Sequence, residues 1–200
     1  SDVCSSDLLA HAREQATRPF TPVYADADAH YEAEFTLDIS RLEPQIARPG
    51  GVHNAVNLSE VAGTPVSHAF IGSCGSGMWD DLMQAAAVLK GRRIADGVRL
   101  FIAPGTEAST KRLAREGWMQ TFIEAGAILL PAGCGPCNDA VIGPIHAGEV
   151  SISTATNNPP GRFGARDGKL YLGSPATVAA SAVTGRITDA REFFLTEMRQ

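Results

Sequence analysis

From residue 57 onward, short apolar runs alternate with amphipathic stretches. Residues 67–71 (SHAFI) predict a buried strand that ends in a Gly-Ser-Cys turn. Asp80 and Asp81 open a helix that runs through LMQAAAVLK and closes at Lys90 and Gly91. Residues 98–103 (VRLFIA) predict a second strand, stopped by Pro104-Gly105. Thr106 is placed to cap a helix over 107–116, and a further helical piece covers 118–125. Residues 127–130 (AILL) predict a third strand that again runs into a Gly-Cys turn, and 150–154 (VSIST) a fourth. Ser174-Pro175 supplies an N-cap and a proline at the first helical position of a helix that ends at Gly185.

Strands and helices alternating at this spacing argue for βαβ units, and so for an α/β fold: a three-layer α/β/α arrangement around a mostly parallel sheet. Sheets of this kind place ligands just beyond the carboxyl ends of their strands. The first third of the chain reads differently. Tyr31, Ala33, Phe35, Leu37 and Ile39 alternate with polar residues, which predicts a strand with one buried face, and Pro44, Pro49, Gly50 and Gly51 mark a long loop. The first residue is Ser1, and residues 1–8 (SDVCSSDL) read as an adapter-derived or disordered tail on a longer protein, so Cys4 is set apart from the fold. The expected division is therefore a tail at 1–8, an irregular segment with one strand at 9–60, and an α/β domain at 61–200.

Composition narrows the function. Apolar residues are 44% and charged residues 20% of the 200, as in an ordinary globular protein. Seventeen basic against twenty-two acidic side chains give −5, with no Lys/Arg block, which argues against a nucleic-acid partner. No apolar run approaches the length of a membrane span, and no export signal is visible, so the expected location is the cytoplasm.

The chemistry concentrates in cysteine. Cys74 and the pair Cys134-Gly-Pro-Cys137 all follow predicted strands. An odd set of three without an export signal argues against a disulfide framework. Spacing alone leaves four readings open. They are an iron–sulfur cluster, a zinc site that would need a fourth ligand such as His146, a redox pair, or inert buried thiols. His30, His53, His68 and His146 read as surface or hydrogen-bonded structural residues, and His68 is expected to point to a covered face. Asp80 and Asp81 read as dipole partners of a helix, and Trp79 and Trp118 as packing residues. There is no Walker-type phosphate loop, no G-x-S-x-G, and no pair of carboxylates placed as acid and base.

The ordered words IGSC-GSG-MWDDL, APGT, AGAILLPAGCGPC, STATNNPPGRFG and LYLGSPATVAASAVTGRITD, with YADADAHYEAEFTLDIS upstream, resemble the aconitase family. Within the family the words look like those of the large subunit of 3-isopropylmalate dehydratase and homoaconitase, and the similarity runs over about residues 22–190. The resemblance implies that Cys74, Cys134 and Cys137 hold a four-iron four-sulfur cluster. It implies a hydro-lyase acting on a small hydroxy di- or tricarboxylic acid, with Arg162 binding a substrate carboxylate. It also implies a base on a small subunit or swivelling domain, so that no catalytic residue lies in this stretch. A cluster-based sensor and a zinc-stapled structural domain are the alternatives.

Two turns depart from the family's pattern. Cys-Thr-Asn-Gly-Arg is here Cys74-Gly75-Ser76-Gly77-Met78, and Ser-Asn-Arg-Asn-Phe-x-Gly-Arg is here Ala155 to Arg162 as ATNNPPGR. An arginine is thus replaced by Asn157, which removes a fork-shaped cation suited to carboxylates. Ser76, Thr156 and Asn157 are expected to line the same pocket as Arg162 and to tune substrate choice, toward a substituted malate or a maleate-type acid.

Overall fold

The computed structural model describes residues 3–137 and 142–197. It separates into a unit over residues 1–41 and a larger one over 42–200.

In the first unit, helix α1 (Val3–Gln15) covers most of the stretch read as a tail. Beyond it the chain is irregular. The strand expected over Tyr31 to Ile39 does not form: Phe35 is 93% exposed, and Tyr31, Leu37 and Ile39 also stand in solvent. The alternation is real, but among the described residues no strand pairs with it, and a lone strand cannot satisfy its own backbone.

The second unit carries the sheet. In chain order it contains β1 (Gln45–Ala47), β2 (Ala55–Asn57), β3 (His68–Gly72), α2 (Ser73–Ser76), α3 (Trp79–Leu89) and β4 (Arg99–Ala103). There follow α4 (Glu107–Arg115), α5 (Trp118–Ala125), β5 (Ile128–Leu129), β6 (Val150–Ser153), β7 (Lys169–Leu172), α6 (Pro175–Thr184) and α7 (Arg191–Glu197). The seven strands lie side by side as β2, β1, β7, β6, β3, β4, β5. From β7 to β5 all neighbours are parallel, and β1 and β2 add an antiparallel edge. The α/β unit therefore begins near residue 42, ahead of the expected boundary at 61, because the hairpin at residues 45–57 pairs with β7.

Alternation along β3 and β4 sorts the core into two faces. Ala69, Ile71, Leu100 and Ile102 face a large cluster with Leu82, Ala85, Ala86 and Leu89 of α3, Phe122 of α5 and Val178, Ala179 and Ala182 of α6. Phe70, Phe101 and Ala103 face a smaller cluster with Cys137, Ile145, Ala155, Phe163 and Leu170. The helices thus pack on one face. Among the described residues the other face is covered by irregular segments and by the 3-10 turn Gly135–Cys137, which carries a predicted ligand cysteine.

Helix starts follow their local chemistry. Asp81 of α3 accepts from the Met78 N–H at 3.2 Å, and Thr106 Oγ1 accepts from the Ser109 N–H at 3.0 Å at the start of α4. Ser174 Oγ caps α6 through the Thr177 N–H at 3.3 Å, with Pro175 following it. Thr106→Ala is expected to lower stability by about 1 kcal/mol, measured as a shift in the urea midpoint at unchanged m-value. A cost near zero would mean that water replaces the cap.

Candidate active site at the carboxyl ends of the strands

β3 leaves the sheet through a backbone that few residues can adopt. Gly72 has φ 143° and ψ −150°, and Ser73, at φ 65°, is the one non-glycine with positive φ among the described residues. A Cβ on Gly72 would lie 2.0 Å from the Ala103 carbonyl oxygen of β4. The Gly72 N–H also donates to Thr154 Oγ1 at 3.0 Å, which joins this elbow to the end of β6. Gly77 closes the turn: a Cβ there would come within 2.6 Å of both Gly105 N and Ser73 O, and the Gly105 N–H donates to Gly77 O at 2.8 Å. The turn carrying Cys74 is thereby fixed against the end of β4 by backbone approach and against the end of β6 through the Thr154 hydroxyl.

Cys74 emerges exposed from this turn, and Ser76 is half-buried beside it. Thr156 is close by, since a Cβ on Gly75 would be 3.2 Å from Thr156 Cγ2. Beyond β5, the Gly133 N–H donates to Pro104 O at 3.0 Å, and residues 134–137 close a turn through the Cys137 N–H and Cys134 O at 3.1 Å. Cys134 is exposed, whereas Cys137 is buried against Phe70 and Ala103. Arg162 reaches the same spot, its Nη2–H donating to Cys137 Sγ at 3.6 Å, while its buried Nε has no hydrogen-bond partner.

The structure thus brings Arg162 to Cys137 and Thr156 to the Cys74 turn. It does not draw the three thiols to one point: among the described residues no three His, Cys, Asp or Glu side chains are grouped closely enough to hold a single metal ion. Cys74 and Cys134 follow β3 and β5, which flank β4, so two strand spacings, about 10 Å, separate their strands. His30, His53 and His146 are exposed, and the His146 backbone N–H serves to donate to Glu149 at 2.7 Å.

Sequence reading picked Asn157 and passed over its neighbour. Asn157 is exposed, but Asn158 is buried. Its Nδ2 donates to Arg48 O at 2.8 Å and to Leu170 O at 2.9 Å, pinning the loop that delivers Arg162 to β7 and to the end of β1. No periodicity marks such an anchor in a loop of prolines and glycines.

A profile of the aconitase family (aconitate hydratase) matches residues 59–185, the stretch that holds Cys74, Cys134, Cys137, Asn158 and Arg162. The chain belongs to the aconitase family. Over 185 residues it is 43% identical to "3-isopropylmalate dehydratase large subunit 1" of Methanopyrus kandleri, covering 92% of this chain and 44% of that protein. It is 43% identical over 188 residues to "3-isopropylmalate dehydratase large subunit" of Mycolicibacterium smegmatis, with 93% and 44% covered. It is 45% identical over 180 residues to "Probable methanogen homoaconitase large subunit" of Methanosarcina mazei, with 90% and 45% covered. The chain spans less than half the length of these relatives.

Of the positions that depart from the aconitase pattern, Gly75, Thr156, Asn157 and Met78 are exposed, Ser76 is half-buried and Ala155 is buried. Gly77 and Asn158, which keep the pattern, are the backbone contact and the buried anchor just described.

Proposed function

We propose that this chain is the cluster-bearing portion of an iron–sulfur hydro-lyase that adds water to, and removes it from, a small hydroxy dicarboxylic acid. The observation that carries this reading is the contact of Arg162 with Cys137 at the carboxyl ends of parallel strands. It puts a carboxylate-binding cation beside a soft metal ligand, where such sheets bind substrates.

Cys74, Cys134 and Cys137 would hold a four-iron four-sulfur cluster. The donor set fits, because three thiolates suit iron–sulfur chemistry and their spread across the sheet edge suits a polynuclear group better than one ion. When bound, the cluster supplies a Lewis-acidic iron that makes a substrate hydroxyl a better leaving group. Arg162 pairs with a substrate carboxylate, since its guanidinium is held at the site with the Nε donor unused. Thr156, Asn157 and Ser76 offer neutral hydrogen bonds to the rest of the substrate. With Asn157 where the family's pattern has arginine, the site favours an acid with fewer or differently placed carboxylates. The proton-removing base is assigned to a small subunit or swivelling domain, in keeping with relatives named as large subunits. The chain alone is then silent in a hydration assay.

The test is anaerobic reconstitution of the full chain with iron and sulfide, followed by metal, sulfide and absorbance measurements. About four iron and four sulfide per chain with a brown chromophore are expected. Cys134→Ser should lose them without loss of fold, because that thiol is exposed. Stoichiometric zinc in place of iron, or iron content unaffected by Cys134→Ser, would overturn the reading.

A further inference from the structure

One buried polar residue on the loop-covered face is not used by this chemistry. His68, in β3, is fully buried. Its Nε2 lies 2.9 Å from Gly143 O and its Nδ1 2.8 Å from Ser151 Oγ. A carbonyl can only accept, so Nε2 carries the proton and the Ser151 hydroxyl donates to Nδ1. The ring packs on Phe101 and Phe163 at centroid distances of 5.3 and 6.0 Å. Gly143 is fitted tightly to the same wall, since a Cβ there would lie 2.9 Å from the Phe101 ring.

These contacts lead to the site. Phe101 and Phe163 share one buried cluster with Cys137 and Ile145. The Ile145 N–H donates to Phe163 O at 2.8 Å and the Ala165 N–H to Ile145 O at 3.2 Å, so the segment after Gly143 is stitched to the segment after Arg162. Gly143 itself is six residues beyond Cys137. We propose that His68 is a positioning residue: held by Ser151 of the neighbouring strand β6, its ring bonds Gly143 and so pins to the sheet the segment after Cys137, which Ile145 in turn stitches to the segment after Arg162. The proposal gives His68 a part in the site assigned above, although its test does not depend on a cluster.

The experiment is alkylation of the metal-free full chain with a neutral reagent at pH 7, read cysteine by cysteine by mass spectrometry. Exposed Cys74 and Cys134 serve as internal references. In His68→Leu, Cys137 is expected to react at least about tenfold faster than in the unaltered chain, with the two references unchanged. That rate should be independent of urea below the unfolding transition, the mark of a local opening. His68→Gln should restore most of the protection, because its amide can accept from Ser151 and donate to Gly143 O. Val178→Ala, which destabilises the opposite core, should leave Cys137 protected in the absence of urea. A Cys137 rate unaltered in His68→Leu, or one that rises only along the urea dependence of global unfolding, would overturn the proposal. Iron uptake should fall in His68→Leu. If the unaltered chain takes up no iron, the cluster reading fails while the alkylation rates still decide the role of His68.

Discussion

Gly72→Ala is expected to remove at least about 4 kcal/mol from the stability of the α/β unit, close to the whole margin of many domains of this size. Two costs add. With φ 143° and ψ −150°, residue 72 occupies a region open essentially to glycine, which alone accounts for about 1–3 kcal/mol. The larger cost is steric: the new Cβ would meet the Ala103 carbonyl oxygen at 2.0 Å. Gly72 and Ala103 are paired across two parallel strands in mid-sheet, so neither backbone can move without breaking the ladder. Gly91→Ala supplies the control, since residue 91 also has positive φ, at 70°, but a Cβ there meets nothing within 4 Å. It should cost about 1 kcal/mol. Urea melts of both variants, or a melting temperature lower by about 10 °C or more for Gly72→Ala alone, would establish the difference. Equal losses in the two would mean that the elbow relaxes and is not what fixes the Cys74 turn.

That elbow also shows what a sequence reading can and cannot reach. The strands at residues 68–72 and 99–103 are evident because both faces are covered, which leaves uninterrupted apolar runs. α3 to α6 are evident because capping residues bracket amphipathic stretches. The alternation from Tyr31 to Ile39 has an equally clear period but no strand results, because period reports which side chains could share a face and not whether a neighbour exists to pair with. β1, β2 and β7 fail for the opposite reason. With three or four residues each, they are too short for a period to show, and β7 becomes a strand through its pairing with β6 and β1.

At the site, residue types were legible where chemistry is rare in sequence. Three cysteines and one arginine in the family's order are what the reading of Cys74, Cys134, Cys137 and Arg162 rests on, and of these the structure brings Arg162 to Cys137. What could not be read is the support. Asn158 differs from Asn157 only in which way its loop turns. Gly77 is one of 20 glycines, and its role rests on a backbone approach visible only in three dimensions. For His68 the covered face is legible, and only its distant partners Gly143 and Ser151 are not.

Stability should fall by about 3 kcal/mol between pH 6.5 and pH 4 on account of His68 alone. Burial away from water lowers its pKa from 6.5 to about 4; the Gly143 hydrogen bond and nearby Glu149 work against this, and Arg99 works with it. The unfolded chain therefore takes up a proton on this residue in a range where the folded chain does not. Stability is complete above pH 6.5, declines as pH falls through the window, and loses nothing more to this group below about 4. At about 1.4 kcal/mol for each pH unit, the full displacement is worth about 3.5 kcal/mol, of which about 3 is lost within this window. Glu149 adds its own loss at lower pH: burial raises its pKa, but the His146 N–H and Arg99 outweigh this and hold it below the ordinary carboxylate value. Urea melts at pH 7.5, 6, 5 and 4.5 on the unaltered chain and on His68→Gln should therefore diverge. The variant, which has nothing to titrate at residue 68, should start lower and lose only what the carboxylates cost at the acid end of the range. Parallel profiles would show that residue 68 is protonated inside the folded chain, and with both ring nitrogens then donors, Ser151 Oγ would have to turn and accept.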